Sequence, residues 1–285
     1  MRLALTALLV ALPAAPAAVS PRPPSATVTV IARAIQPGEI VLLDLTTPEP
    51  WSGVRATAFD RPLAVYAPDA ARWRVLVGID LDVKPGDYPV SIEAANGRVA
   101  THTLSVKPKR FPTRQLKVNE AFVNPPASAL ERIRKESTLL AAVWADTAPE
   151  HLWRGPFLRP VPHQANSAFG SRSVFNGQPR NPHGGADFLS PAGTAVKAPN
   201  AGRVVLARDL YYSGRTVILD HGLGVGSHFG HLSEIAVTEG TTVGAGDLVG
   251  KVGATGRVTG PHLHWSVRIG TARVDPLSLL AVLGK

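Results

Sequence analysis

The sequence predicts an all-β protein with an N-terminal β-sandwich, a short connecting helix and a C-terminal antiparallel β domain. Three observations carry that expectation. Apolar and polar residues alternate in several short runs, which is the period of a half-buried strand. The 26 glycines and 26 prolines punctuate those runs, as the turns of a short-stranded protein require. Helical periodicity is confined to one internal stretch and to the residues after Leu277. At 285 residues the chain is long enough for two domains.

Residues 1–20 read as a signal peptide: Arg2 is the positive start, residues 3–12 are apolar, and Ala15-Pro16-Ala17 offers a small-residue cleavage pattern. A membrane anchor needs about 20 apolar residues, and Pro13 and Pro16 interrupt the run before that. No later segment is long and apolar enough to span a bilayer as a helix. The mature chain is therefore expected outside the cytoplasm, in the periplasm or cell envelope, with no stable membrane insertion. Residues 21–25 are Pro-rich and read as a tether.

Residues 25–110 are expected to form an immunoglobulin-like β-sandwich. Trp73, Val75, Val77 and Ile79 share one face of a period-two segment, and Tyr88, Val90 and Ile92 share one face of the next. Asn96-Gly97 predicts a type I′ hairpin into Ala100, His102, Leu104 and Val106. Residues 111–155 form a linker with one helix, over 128–144. Ser128 and Glu131, three apart ahead of Ile133, Leu140 and Trp144, have the spacing of a capping box. A linker of this kind also allows an intramolecular contact between the front domain and a cleft in the C-terminal domain. Residues 156–285 return to β, with strands expected at 203–207, 216–220, 247–252 and 262–269.

Composition narrows the chemistry. The chain has no cysteine, which excludes disulfides, lipid attachment through an N-terminal cysteine and thiolate metal sites. Any metal must sit on histidine and carboxylate. The formal charge of +9 is not accompanied by a recognition helix or an aromatic RNA motif, so nucleic acid is not the expected partner. For an exported protein this charge suits an anionic envelope.

Six of the nine histidines lie between residues 183 and 264. His262, His264, Ser266 and Arg268 alternate with Leu263, Trp265, Val267 and Ile269, so a strand here points both histidines away from the core. Upstream, His183-Gly184-Gly185-Ala186-Asp187 places an imidazole and a carboxylate four residues apart. Extended backbone would hold their α-carbons about 13 Å apart, so the segment must bend, and the two glycines are expected to permit that through their backbone freedom. Two His and one Asp match a catalytic zinc site, which keeps a fourth position for water. Spacing alone does not choose between His262 and His264 as ligand. His231 is expected to share a face with Ser227 and Phe229 and to reach the cleft, whereas His221 and His228 are left outside the site.

In order along the chain, Phe169-Gly170-Ser171-Arg172, the His183 to Asp187 stretch, Pro191-Ala192-Gly193-Thr194, Asp220-His221-Gly222, Phe229-Gly230-His231-Leu232, Gly253-Ala254-Thr255-Gly256 and residues 259–265 resemble the lysostaphin and LytM-type peptidoglycan metallopeptidases. The resemblance covers residues 165–280. It implies a compact antiparallel β catalytic domain, Zn2+ held by His183, Asp187 and His264, and His231 and His262 acting beside the metal. It also implies an exported zinc endopeptidase that hydrolyses the peptide crosslinks of peptidoglycan, with water as nucleophile. The alternative is a LytM-like activator of another wall hydrolase, which typically lacks the ligands this chain retains. Family members usually carry a tyrosine where this chain has Phe229. Arg172 is a candidate for pairing with a substrate carboxylate.

Overall fold

The computed structural model describes residues 26–117, 123–165 and 169–284. The expected signal peptide and Pro-rich tether lie outside the described residues. Among those described, no helix is long and apolar enough to cross a membrane.

The N-terminal part is built from β1 (Thr27–Ala32), β2 (Ile40–Thr46), β3 (Arg55–Ala58), β4 (Arg61–Pro62), β5 (Ala64–Asp69), β6 (Arg72–Gly78), β7 (Gly86–Glu93) and β8 (Val99–Val106). These form two four-stranded sheets, ordered β1-β2-β6-β5 and β4-β3-β7-β8. Their inner faces enclose Val41, Leu43, Val75, Val77, Val90, Ile92, Leu104 and Val106, as the alternation requires. The β7–β8 hairpin forms at Asn96-Gly97, but its turn differs from the expected type I′. Only Gly97 has positive φ, and its N–H donates to the Ala94 carbonyl while Ala94 N–H donates to that of Arg98. This is a three-residue loop with glycine in the left-handed position, so Asn96 need not adopt positive φ.

Strand β2 breaks the alternation because both its faces are covered. Val41, Leu43 and Leu45 point into the sandwich. Ile40 and Leu42, with Tyr66 and Leu76, instead join the larger core of the C-terminal half.

The connecting segment supplies β9 (Thr113–Leu116) and α1 (Ala127–Ala145). The helix matches the expected span closely, but the capping box does not form. Pro126 is the N-cap and no side chain caps it, so Ser128 already lies inside the first turn and cannot take that role. Glu131 instead pairs with Arg134 and Lys135 on the helix surface. Leu139, Leu140, Val143 and Trp144 pack α1 against Leu206, Leu210 and Ile218. Next come β10 (Arg172–Phe175) and β11 (Gln178–Pro179); β9 pairs in parallel with β10 in a small sheet of order β11-β10-β9.

The C-terminal sheet contains β12 (Gly185–Phe188), β13 (Ala195–Lys197), β14 (Gly202–Leu210), β15 (Gly214–Asp220), β16 (Val225–Ile235), β17 (Thr242–Val243), β18 (Leu248–Val252), β19 (Leu263–Ile269) and β20 (Ala272–Val274). Its main path is β12-β19-β16-β15-β14-β17. One face carries the core, with Phe188, Phe229, Leu263 and Trp265 fully buried. The closing helix α2 (Pro276–Leu283) starts at Asp275, whose side chain accepts from Leu277 N–H.

The sandwich docks on α2, β19 and β20 through Ile40, Leu42 and Leu76. Polar clasps flank that contact: Arg273 reaches Asp80 and Asp82, and Arg33 bridges buried Glu39 to Asp275. Contact between the two halves therefore exists, but on the core side of β19 and not over the histidines. No described sandwich residue lines the cleft described below.

Candidate metal and catalytic site

Strand β19 has the burial pattern expected of it, with Leu263, Trp265, Val267 and Ile269 buried and the intervening residues facing out. Its neighbours fix what His264 meets. Asp187 of β12 lies directly opposite on one side and Gly230 of β16 on the other, and opposed residues in a sheet share a face. His264 Nδ1 is accordingly 2.9 Å from Asp187 Oδ1. His183 precedes β12 and is tied at both backbone ends: its N–H donates to the Ser171 carbonyl and its own carbonyl accepts from Gly170. That anchor places its Nε2 3.1 Å from Asp187 Oδ1 and 3.0 Å from His264 Nδ1.

The two glycines play a different part from the one expected. Neither Gly184 nor Gly185 has positive φ, so the bend does not depend on glycine-only backbone angles. Gly185 is required for space. A β-carbon there would lie 2.5 Å from the Trp265 carbonyl oxygen and 2.8 Å from His264 Nε2. The close approach of β12 to β19 that lets Asp187 reach His264 leaves no room for a side chain.

Protons alone satisfy this triangle poorly. To donate to Asp187, each imidazole must carry its hydrogen on the converging nitrogen, and two N–H groups then face each other across 3.0 Å. A cation removes the conflict, because both rings can then turn lone pairs inward beside the carboxylate. Tetrahedral donors at about 2.0 to 2.2 Å from zinc stand roughly 3.3 to 3.6 Å apart, so the triangle need open only slightly. Burial opposes the charge of Asp187, but hydrogen bonds from His183 and His264 outweigh it and hold the carboxyl far below the usual carboxylate range. The donor set of two imidazoles and one carboxylate fits zinc.

His231 and His262 flank the triangle, their rings 4.9 Å apart. Each ties Nδ1 to a backbone carbonyl, His231 to Thr255 and His262 to Gly260, both at 2.9 Å. The Nδ1–H tautomer this selects leaves both Nε2 atoms as proton acceptors. Burial pushes His231 down to about 4, partly countered by its bond to Thr255. His262 Nε2 is 3.8 Å from Asp187 Oδ1.

His231 reaches the cleft by a route that strand parity does not predict. Its φ is 63° and the β15–β16 register shifts here. This left-handed residue reverses the alternation, so Phe229 faces the core while His228 and His231, three apart, both line the cleft. A non-glycine residue held this way costs of order 1 to 3 kcal/mol, a strain typical of functional positions. His228, excluded on sequence, thus belongs to the cleft wall. Its ring lies 5.9 Å from that of His264, and burial, reinforced by His264 and His231, pushes it down to about 3.

Phe229 is fully buried and lies parallel to Trp265, so a hydroxyl at its ring would enter the core and not the cleft. His221 is outside the site, as expected: it is buried between the Ala201 carbonyl and Ser227 Oγ. Arg172 does not line the cleft. It pairs with Thr113, whereas Ser173 pairs with Arg114, so alternation turns Arg172 to the opposite face from Phe175. Arg114 and Arg257 line the cleft instead, together with Tyr212 and Ser213, around a volume of about 750 Å³. Arg114 lacked any motif to mark it, because its role comes from the β9–β10 pairing.

A family model described as peptidase family M23 matches residues 181–276. A solved structure described as a putative peptidase M23 from Pseudomonas aeruginosa is 35% identical, with a TM-score of 0.71, and the match covers 88% of this chain and 97% of that one. Among curated proteins, the peptidoglycan DD-endopeptidase ShyA of Vibrio cholerae is 44% identical over 86 residues, which is 30% of this chain and 20% of the relative. The DD-carboxypeptidase/endopeptidase Mpg of Neisseria meningitidis is 39% identical over 97 residues, 34% of this chain and 22% of the relative. The chain thus matches about a fifth of the length of these curated relatives.

Proposed function

The chain belongs to peptidase family M23, and from that premise we propose that it is an exported, zinc-dependent endopeptidase that hydrolyses peptide crosslinks of peptidoglycan. The observation that carries the proposal is the convergence of His183, Asp187 and His264 on one point at the floor of an open cleft. The names of the curated relatives support a DD crosslink as the bond cut. Export rests on the leader pattern in residues 1–20.

His183 Nε2, Asp187 Oδ1 and His264 Nδ1 would hold the metal. When bound, zinc supplies Lewis acidity, acidifying water towards neutrality and polarising a carbonyl. The remaining proton handling falls to His231 and His262. Their Nδ1 hydrogens are directed at carbonyls, so each Nε2 presents a lone pair that can take a proton from the attacking water and pass it to the leaving amine. The Thr255 and Gly260 carbonyls orient the two rings, which limits the reorganisation needed on reaction.

The test is digestion of purified sacculi by the mature protein, with muropeptides resolved chromatographically. Crosslinked dimers should disappear, a chelator should stop the reaction, and added zinc should restore it. Absence of release by the protein alone, together with stimulation of a separate amidase, would instead identify a non-enzymatic activator.

A further inference from the structure

The walls of the cleft carry chemistry that the histidine cluster does not use. Residues 113–116 belong to the connecting segment, yet as β9 they extend the β10–β11 sheet beside the site. The Arg114 to Ser173 pairing puts Arg114 on the same face as Phe175, and both line the cleft. Arg257 comes from the loop between β18 and β19, with its guanidinium 4.5 Å over the Tyr212 ring. Burial lowers its pKa, and the charge of neighbouring Arg180 adds to that against the favourable pull of Tyr212 and Tyr211. Among the described residues lining the cleft, Asp187 is the sole acid, and it is engaged by His183 and His264. With a divalent cation in the triangle the cleft carries net positive charge.

A peptide with a free carboxylate complements such a cleft, because a guanidinium meets a carboxylate through two parallel N–H bonds. Phe175 and Tyr212 offer apolar surface beside the two arginines. Resting on the peptidase reading above, we propose that Arg114 and Arg257 recognise a free carboxylate on the crosslinked peptide. Strand β9 is then part of the substrate site, and the segment joining the two halves is more than a tether.

The test compares crosslinked muropeptide dimers with the same dimers whose carboxylates have been converted to amides. The full chain is assayed as wild type, Arg114→Ala, Arg257→Ala and, as a charge-matched control on the exposed sandwich surface, Arg55→Ala. Each cleft variant should raise KM for native dimers about tenfold, equivalent to about 1.4 kcal/mol. kcat should stay nearly constant, and the variants should prefer native over amidated dimers less than the wild type does. Arg55→Ala should match the wild type. Equal losses on both substrates, or no loss on native dimers, would overturn the proposal. Fluorescence anisotropy with the same dimers in chelator reads affinity without turnover. Tighter binding of native dimers in chelator, together with no cleavage of either dimer by the zinc-loaded protein, would sink the peptidase reading and keep carboxylate recognition, whereas binding indifferent to amidation sinks the recognition.

Discussion

Replacing Gly185 by alanine should break the metal site although no ligand is itself replaced. The added β-carbon would lie 2.5 Å from the Trp265 carbonyl oxygen, 2.7 Å from His264 Cε1 and 2.8 Å from His264 Nε2. Ordinary C···O contact begins near 3.3 Å, so β12 and β19 must separate by roughly 0.8 Å, and the His264 imidazole must be displaced as well. Metal–ligand distances tolerate only about 0.2 Å. Overpacking of this kind costs about 1 to 3 kcal/mol of stability, and displacement of His264 should lower zinc affinity at least about 10- to 100-fold, the range seen when a ligand's supporting contacts are lost. Gly184 is the internal control, since a β-carbon there meets nothing within 4 Å. Zinc content after dialysis against a weak chelator, with thermal unfolding measured in parallel, distinguishes the two. Gly184→Ala should keep its zinc and Gly185→Ala should lose it. Equal retention in both, or equal loss, refutes the packing argument.

His264→Ala should abolish zinc retention and activity together, whereas His262→Ala should keep zinc and lose turnover; metal analysis beside a dimer-cleavage assay checks the split. Phe229→Tyr should destabilise the protein by about 1 to 3 kcal/mol by forcing an extra atom into the closely packed core beside Trp265, with no gain in kcat, as denaturant titration and kinetics would show. His221 is pushed by burial from 6.5 to about 4, so the unfolded chain binds its proton before the folded one does. Stability should therefore fall as pH drops from about 6.5 towards 4, by on the order of 2 kcal/mol between pH 7 and pH 5 from this group. In His221→Gln the difference in unfolding free energy between those two pH values should shrink by a similar amount; an unchanged difference would show that His221 does not remain neutral.

The parts of the site that follow from local pattern were legible in the sequence. The alternation of residues 262–269 correctly turned His264 outward, and the His183 to Asp187 spacing correctly demanded a bend. What pattern could not supply was long-range. His228 carries no motif that marks it as a ligand, and strict parity puts it and His231 on opposite faces; only the left-handed φ of His231 removes that opposition. Arg114 was invisible because its position depends on a parallel pairing with a strand some 60 residues away. The Gly184-Gly185 pair suggests backbone freedom, whereas the contribution of Gly185 is the absence of a side chain beside His264. The sandwich was likewise expected from alternation, yet β2, buried on both faces, shows through Ile40 and Leu42 that it shares a core with the other half. Ser128 had the spacing for a capping box, but the helix starts at the preceding residue, behind Pro126.

X-ray absorption at the zinc edge of the purified, zinc-loaded protein tests the central claim most directly. The account predicts one zinc per chain with a first shell of two imidazole nitrogens, one carboxylate oxygen and one exchangeable light atom, at about 2.0 to 2.2 Å. A shell closed by a further histidine, such as His231 or His262, or a protein that retains no zinc, would contradict it.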